Sequence, residues 1–215
     1  MSRSAAVLLL LALLPLRAAA VETLRISMGE AADEVRVSGR ALVQGPDSEE
    51  GPFVLAPHAA LTVRRRGDQL EVNGVSLPDT SLRFSSGLAR RDSDVSGHEA
   101  VRANGFEVRG DVVVRLHKNG LQLINVIPLE DYLAAVLGGE MPVSFPLEAL
   151  KAQAVAARTY ALQRKLASYS EPFHLGSSVL HQVYKGLNRE DARTRAAVLA
   201  TRGEVLTHEL APIEA

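Results

Sequence analysis

A chain of 215 residues with 47% hydrophobic content can bury a full core, in one domain or two small ones. Its 24 Lys and Arg against 25 Asp and Glu give a formal net charge of −1, and the aromatic complement is five Phe, four Tyr and no Trp. With no basic excess to release counterions and few rings to stack on bases, composition argues against a nucleic-acid partner. The absence of cysteine excludes both a disulfide scaffold and a lipid-anchored lipoprotein.

Residues 1–20 have the form of an export signal. Arg3 supplies the positive start, Ala5 to Leu16 is an apolar run, and Ala18 and Ala20 fit the small-x-small cleavage rule. The run is shorter than the roughly 20 residues that a spanning helix needs. No later segment is apolar enough to span. The reading is an exported protein, periplasmic or extracellular, with no membrane span after cleavage.

From Val21 to about Val126 the apolar residues recur with period two, in LRISM, EVRVSG, LTVRRR, LEVNGVSL, VVVRLH and LQLINV. Turn signals separate them: Gly45-Pro46-Asp47, Arg66-Gly67-Asp68, Asn73-Gly74, Asn104-Gly105 and Asn119-Gly120. This spacing predicts antiparallel strands and hairpins, most firmly at Asn119-Gly120, where both residues tolerate positive φ. The polar stretch Ser76 to Ser96, with Arg90-Arg91-Asp92, is expected to be irregular or exposed. The Arg64–Arg66 triplet fits a solvated strand face better than a polyanion site.

At Pro128 the period becomes helical. Glu130 and Asp131 suit a first turn, Leu129, Leu133, Val136 and Leu137 form an apolar face, and Gly138-Gly139 is expected to stop the helix. A second helix is predicted from about Pro146 to Leu166, where Leu147, Leu150, Ala154, Ala157 and Ala161 repeat at steps of three and four. Its small residues allow close approach of neighbouring backbone, and most of its surface is expected to be buried. Gln153, Ala157 and Tyr160 share one stripe, and Lys151 and Arg158 another. A buried polar side chain needs a partner, which here can be protein or ligand. Glu140 lies in a stiff bend between the helices, where an acid can cap the second helix or do chemistry.

The run from Asn125 to Leu162, NVIPLEDYLAAVLGGEMPVSFPLEALKAQAVAARTYAL, resembles the stage II sporulation protein D family, also described as amidase enhancers. The likeness extends more weakly through Gln182-Val183-Tyr184-Lys185-Gly186, which is similar to that family's Q-x-Y-x-G segment. It implies a lytic transglycosylase that cuts peptide-stripped peptidoglycan glycan strands and leaves a 1,6-anhydro sugar, with Glu140 as the catalytic acid/base. Glu140, Gln153, Arg158 and Tyr160 are then expected on one cleft, with Gln182 and Tyr184 on its other wall. Glycan cleavage needs a proton delivered to the glycosidic oxygen. In a transglycosylase the sugar's 6-hydroxyl can replace water, so one carboxyl suffices, and Gly138-Gly139 would clear space for the polymer. The alternative is a non-catalytic wall-binding protein that stimulates an N-acetylmuramoyl-L-alanine amidase, so the expected partners are glycan strands and a cell-wall amidase.

Some relatives carry metal-ligating cysteines with a histidine just before Q-x-Y-x-G. Here that stretch offers His174, Ser177, Ser178 and His181, too few ligands for a structural zinc site, so no metal and no cofactor are expected. The resemblance also leads into a histidine- and Ser/Gly-rich segment past Ala215, so the chain is expected to stop short of the complete domain. The fold expectation is α+β: a signal over 1–20, a β-rich antiparallel part over 21–120, and two helices with a β/α segment carrying the site over 121–215.

Overall fold

The computed structural model describes residues 21–29, 33–45, 52–56, 59–86, 100–118, 120–177 and 182–213. The export signal, Pro46-Asp47, Arg90-Arg91-Asp92, Asn119, Ser178 and His181 lie outside the described residues.

Among the described residues twelve strands precede the first helix, in the order β1 (Thr23–Ser27), β2 (Glu34–Ser38), β3 (Ala41–Gln44), β4 (Phe53–Leu55), β5 (Ala60–Arg66) and β6 (Gln69–Val72). They continue as β7 (Val75–Leu77), β8 (Ser81–Ser85), β9 (Val101–Ala103), β10 (Phe106–Val108), β11 (Asp111–His117) and β12 (Gly120–Pro128). Helix α1 (Leu129–Glu140) and helix α2 (Leu147–Ala167) follow, then β13 (Leu175–Gly176), a 3-10 turn at Gly186–Arg189, α3 (Ala192–Ala200), and a small hairpin of β14 (Thr207–His208) and β15 (Ala211–Pro212). The α+β expectation holds: antiparallel sheets first, helices after.

The strands form a seven-stranded sheet, β13-β1-β12-β11-β8-β3-β4, and a six-stranded sheet, β10-β9-β2-β5-β6-β7. Period-two alternation sends Leu24 and Ile26 of β1 and Val112 and Val114 of β11 inward from the first sheet. Val35, Val37 and Val63 come from the second, and both sets join one continuous core. One expectation changes here. Ser81–Ser85 is a central strand, because Leu82 and Phe84 alternate inward while Arg83 stays outside and pairs with Asp111 of β11 at 2.6 Å. Strand β12 lies between β1 and β11, so the β-rich and helical parts share a sheet. Of the arginine triplet, Arg64 and Arg66 are exposed and pair with Glu34 and Glu71, while Arg65, on the opposite strand face, is half-buried and donates to the His117 and Lys118 carbonyls.

Helix α1 is the centre of the second half. Every residue from Tyr132 to Leu137 is buried, not one face alone, because strand, helices and the 3-10 turn surround it. Its two acids sit in the first turn as expected, and each also ties α1 to another helix. Arg158 of α2, 1% exposed, makes a bidentate pair with Glu130 at 3.0 and 2.7 Å. Arg195 of α3 reaches Asp131 at 3.1 Å. Thr194 closes a capping box with Asp191 and donates its hydroxyl to the Ala134 carbonyl at 2.9 Å. In α2, Ala152 is exposed and Gln153, Ala156 and Tyr160 are half-buried, so one side of the helix stays accessible where burial of most of its surface was expected.

His174 joins the chain after α2 to β1: its N–H donates to the Arg25 carbonyl at 2.8 Å, and its Nδ1 accepts from the Arg25 N–H at 3.1 Å. Burial, then the nearby Arg25 and Lys165 charges, pushes its pKa down from 6.5 to about 4. The folded state therefore resists protonation that the unfolded chain accepts. The resulting stability is complete above pH 6.5, declines as pH falls from there to about 4, and changes no further below that from this group. Urea unfolding across this window should show declining stability in the protein and a flatter profile in His174→Gln, which keeps an acceptor but cannot titrate. Equal slopes in both would exclude His174 as the cause.

Candidate functional site

The site forms where the end of α1 meets the extended segment 182–185. Gly138 and Gly139 do not stop α1; the helix runs through them to Glu140 and ends at Met141, whose backbone is extended. They allow close approach, and the space they leave is taken by this chain. A Cβ at Gly138 would overlap the Arg189 carbonyl oxygen, and one at Gly139 would come within 2.7 Å of the Val183 carbonyl oxygen. Gly186, at φ +64°, turns the chain from that segment into the 3-10 turn.

Glu140 is exposed, and its Oε1 accepts a hydrogen bond from the Val183 N–H at 2.8 Å. The flanking residues explain why that N–H is held in place. Side chains alternate along an extended segment, so Gln182 and Tyr184 both turn inward and are buried. The Gln182 amide donates to the Ala157 carbonyl of α2 at 3.4 Å, and its oxygen accepts from the Tyr132 hydroxyl of α1 at 2.9 Å. The Tyr184 hydroxyl donates to Asn125 Oδ1 at 2.7 Å, and Asn125 Nδ2 donates to the Arg109 and Asp111 carbonyls, both at 2.9 Å. The segment is thus fixed to both helices and to the central sheet.

Burial raises the phenol pKa of Tyr132, with Tyr184, Tyr160 and Glu140 adding to the effect. Burial, then Asp131 and Glu190, raises that of Tyr184. Both phenols remain protonated donors near neutral pH, so they hold geometry and do not carry charge. Behind the site, Arg109 grips Glu190 at 2.9 and 3.1 Å, and Arg195 reaches it at 2.7 Å. Burial works against the Glu190 charge, but the hydrogen bonds from Arg109 and Arg195 outweigh it and hold this carboxyl below the usual range. The bend between α1 and α2 is held by Arg193, which donates to the Val143 carbonyl at 2.9 Å and the Phe145 carbonyl at 2.8 Å.

The structure brings together Glu140, the 182–184 segment and the Ala157 side of α2. Tyr160 is half-buried and packs against the core cluster that includes Tyr132. Gln153 is half-buried on that stripe and makes no hydrogen bond among the described residues. Arg158 points elsewhere, about 140° around α2 from Gln153. Its Nε and both terminal nitrogens are engaged by Glu130, Thr201 Oγ1 and the Val198 and Glu204 carbonyls, so it holds the helices together. Gln182 and Tyr184 likewise spend their polar groups on protein. Among the described residues no cluster of three or more His, Asp or Glu side chains could hold a metal ion.

Tyr132, Asn125, Arg193 and the Val183 N–H are missing from the sequence-derived set. A hydroxyl at the head of the run YLAAVL and a lone Asn in LQLINV were usable signals, since buried polar groups need partners. A backbone N–H leaves no mark in the sequence.

The fold and site together describe an α+β protein whose helical half presents one exposed carboxylate on a braced backbone segment. Residues 117–208, which carry that half, match the family model for stage II sporulation protein, SpoIID. Stage II sporulation protein D of Bacillus amyloliquefaciens is 39% identical over 119 residues, covering 48% of this chain and 35% of that protein. An uncharacterized protein of Brachyspira hyodysenteriae is 36% identical over 107 residues, covering 49% and 29%. The amidase enhancer of Bacillus subtilis is 40% identical over 76 residues, covering 35% and 10%. The chain spans about a third of the length of the first curated relatives it matches.

An Ala in place of a helical Gly ordinarily stabilises a helix by about 1 kcal/mol. Here Gly138→Ala and Gly139→Ala should both lower the melting temperature, because each new methyl meets backbone that must move. A rise in either variant would show that the 183–189 segment does not lie against α1.

Proposed function

We propose that this protein acts on the bacterial cell wall as a lytic transglycosylase, cleaving peptide-stripped glycan strands with Glu140 as the general acid and then base. One observation carries the reading: an exposed carboxylate at a helix end, oriented by the amide of a segment anchored on both sides. Orientation of this kind is what proton transfer demands, since a catalytic group must meet its target within hydrogen-bond reach. The acids at the other end of α1, Glu130 and Asp131, are engaged by Arg158 and Arg195, which suits a mechanism with one working carboxyl.

The Glu140 carboxyl gives its proton to the glycosidic oxygen as the bond to C1 breaks and an oxocarbenium-like sugar develops. The resulting carboxylate then takes the proton of the same sugar's 6-hydroxyl as that oxygen bonds to C1, closing the 1,6-anhydro ring. No water is consumed, and Glu140 returns to its starting state. Gln153 and Tyr160, on the accessible side of α2, are the proposed glycan contacts. Gln182 and Tyr184 serve by positioning the segment, and Arg158 is left out of the groove. The apolar run from Ala5 to Leu16 supports export to the wall.

The amidase enhancer of Bacillus subtilis among the similar proteins favours a second reading, in which this protein binds the wall and stimulates an amidase without cutting glycan. Glu140→Gln separates the two. Under the first reading it should lower anhydro-sugar release by about 10²-fold or more, the low end for general acid–base catalysis. Melting temperature and pull-down on peptide-free glycan should hardly change. Undiminished cleavage would remove Glu140 from the mechanism. Stimulation of an amidase with no new anhydro ends would establish the accessory role.

A further inference from the structure

We infer that Tyr132 is a positioning residue for Glu140, acting through Gln182 and the Val183 N–H; this rests on the catalytic reading of Glu140 above. Tyr132, Val136 and Gly139 follow one another at steps of four and three on one face of α1, and the 182–184 segment lies over that face. At one end of the stripe the Tyr132 hydroxyl donates to Gln182 Oε1 at 2.9 Å. At the other, the bare Gly139 admits the Val183 carbonyl. Between them the planar peptide joining Gln182 to Val183 aims the Val183 N–H, and that N–H meets Glu140 Oε1 at 2.8 Å.

The other bond to the Gln182 side chain, from its amide to the Ala157 carbonyl, is long at 3.4 Å. Tyr132 therefore makes the tighter of the two contacts that hold this side chain. Its ring also lies 5.3 Å, centroid to centroid, from that of Tyr184, so one residue braces both inward side chains of the segment. Removing the hydroxyl would leave the Gln182 oxygen buried without its donor. A segment released by even 1 Å would carry the Val183 N–H, and the carboxylate it orients, out of alignment, and such a misplacement can cost about 10²-fold in rate.

The test is Tyr132→Phe, with Gln182→Met as a second variant that removes the acceptor. Amide hydrogen exchange, followed by NMR, reads the Val183 N–H without any need for activity. In both variants Val183 should exchange at least about tenfold faster, with the amides of β12 unchanged. Unchanged Val183 exchange would overturn the inference, as would uniform acceleration of all amides, which marks general destabilisation. In glycan cleavage, kcat should fall about tenfold with KM unchanged, and the double variant should lose no more than the worse single one. A KM effect with normal kcat, or additive losses, would also overturn it. If the parent protein releases no anhydro sugar, the catalytic reading fails, while the Val183 exchange still decides whether Tyr132 fixes that amide.

Discussion

The hydrogen bond from the Val183 N–H to Glu140 Oε1 is the contact around which the helical half is organised. Glu140 closes the last turn of α1, where a side chain would otherwise sample several rotamers in water. One amide restricts it, and that amide is useful only if its own segment cannot drift. Gln182 and Tyr184 supply the restraint by turning inward to α2, α1 and the central sheet. The two glycines of α1 make the approach possible by leaving room for the Val183 and Arg189 carbonyls. The feature that looks in sequence like clearance for a polymer is used by the protein to bring its own backbone to its carboxylate.

The charged side chains beneath the site keep that arrangement aligned. Arg158 with Glu130, and Arg195 with Asp131 and Glu190, connect α1 to its neighbours through pairs that are wholly or mostly shielded from water. Buried pairs of this kind are weak evidence for stability, since desolvation offsets much of the attraction. Their directional hydrogen bonds instead favour one orientation of α1 against α2 and α3. The arginines thus hold the frame, while Glu140 stays exposed at the helix end beside the Val183 N–H.

The period-two strands and both long helices were legible because repeating patterns outlast local noise. The predicted second helix, from about Pro146 to Leu166, corresponds to α2 at Leu147–Ala167. Strand β8 was hidden because only Leu82 and Phe84 mark it within a polar stretch, and its position between β11 and β3 comes from distant pairing. Glu140 was singled out by its motif, but the helix reaching it through two glycines was not expected, since propensity alone ends a helix there. Arg158 shows the limit most clearly. Its spacing in α2 is visible in sequence, yet whether it meets a ligand or Glu130 depends on where α1 packs. The Gln182 and Tyr184 pair was legible as a motif and illegible as a mechanism, because their product is the placement of an amide that belongs to neither side chain.

The most direct test of the account is mass analysis of the products formed from peptide-free glycan strands in water enriched with oxygen-18. A single carboxyl that passes the proton from the sugar's own 6-hydroxyl to the leaving oxygen predicts 1,6-anhydro ends carrying no heavy oxygen. Reducing ends that have taken up oxygen-18 would contradict it, because they require an activated water that this mechanism does not use.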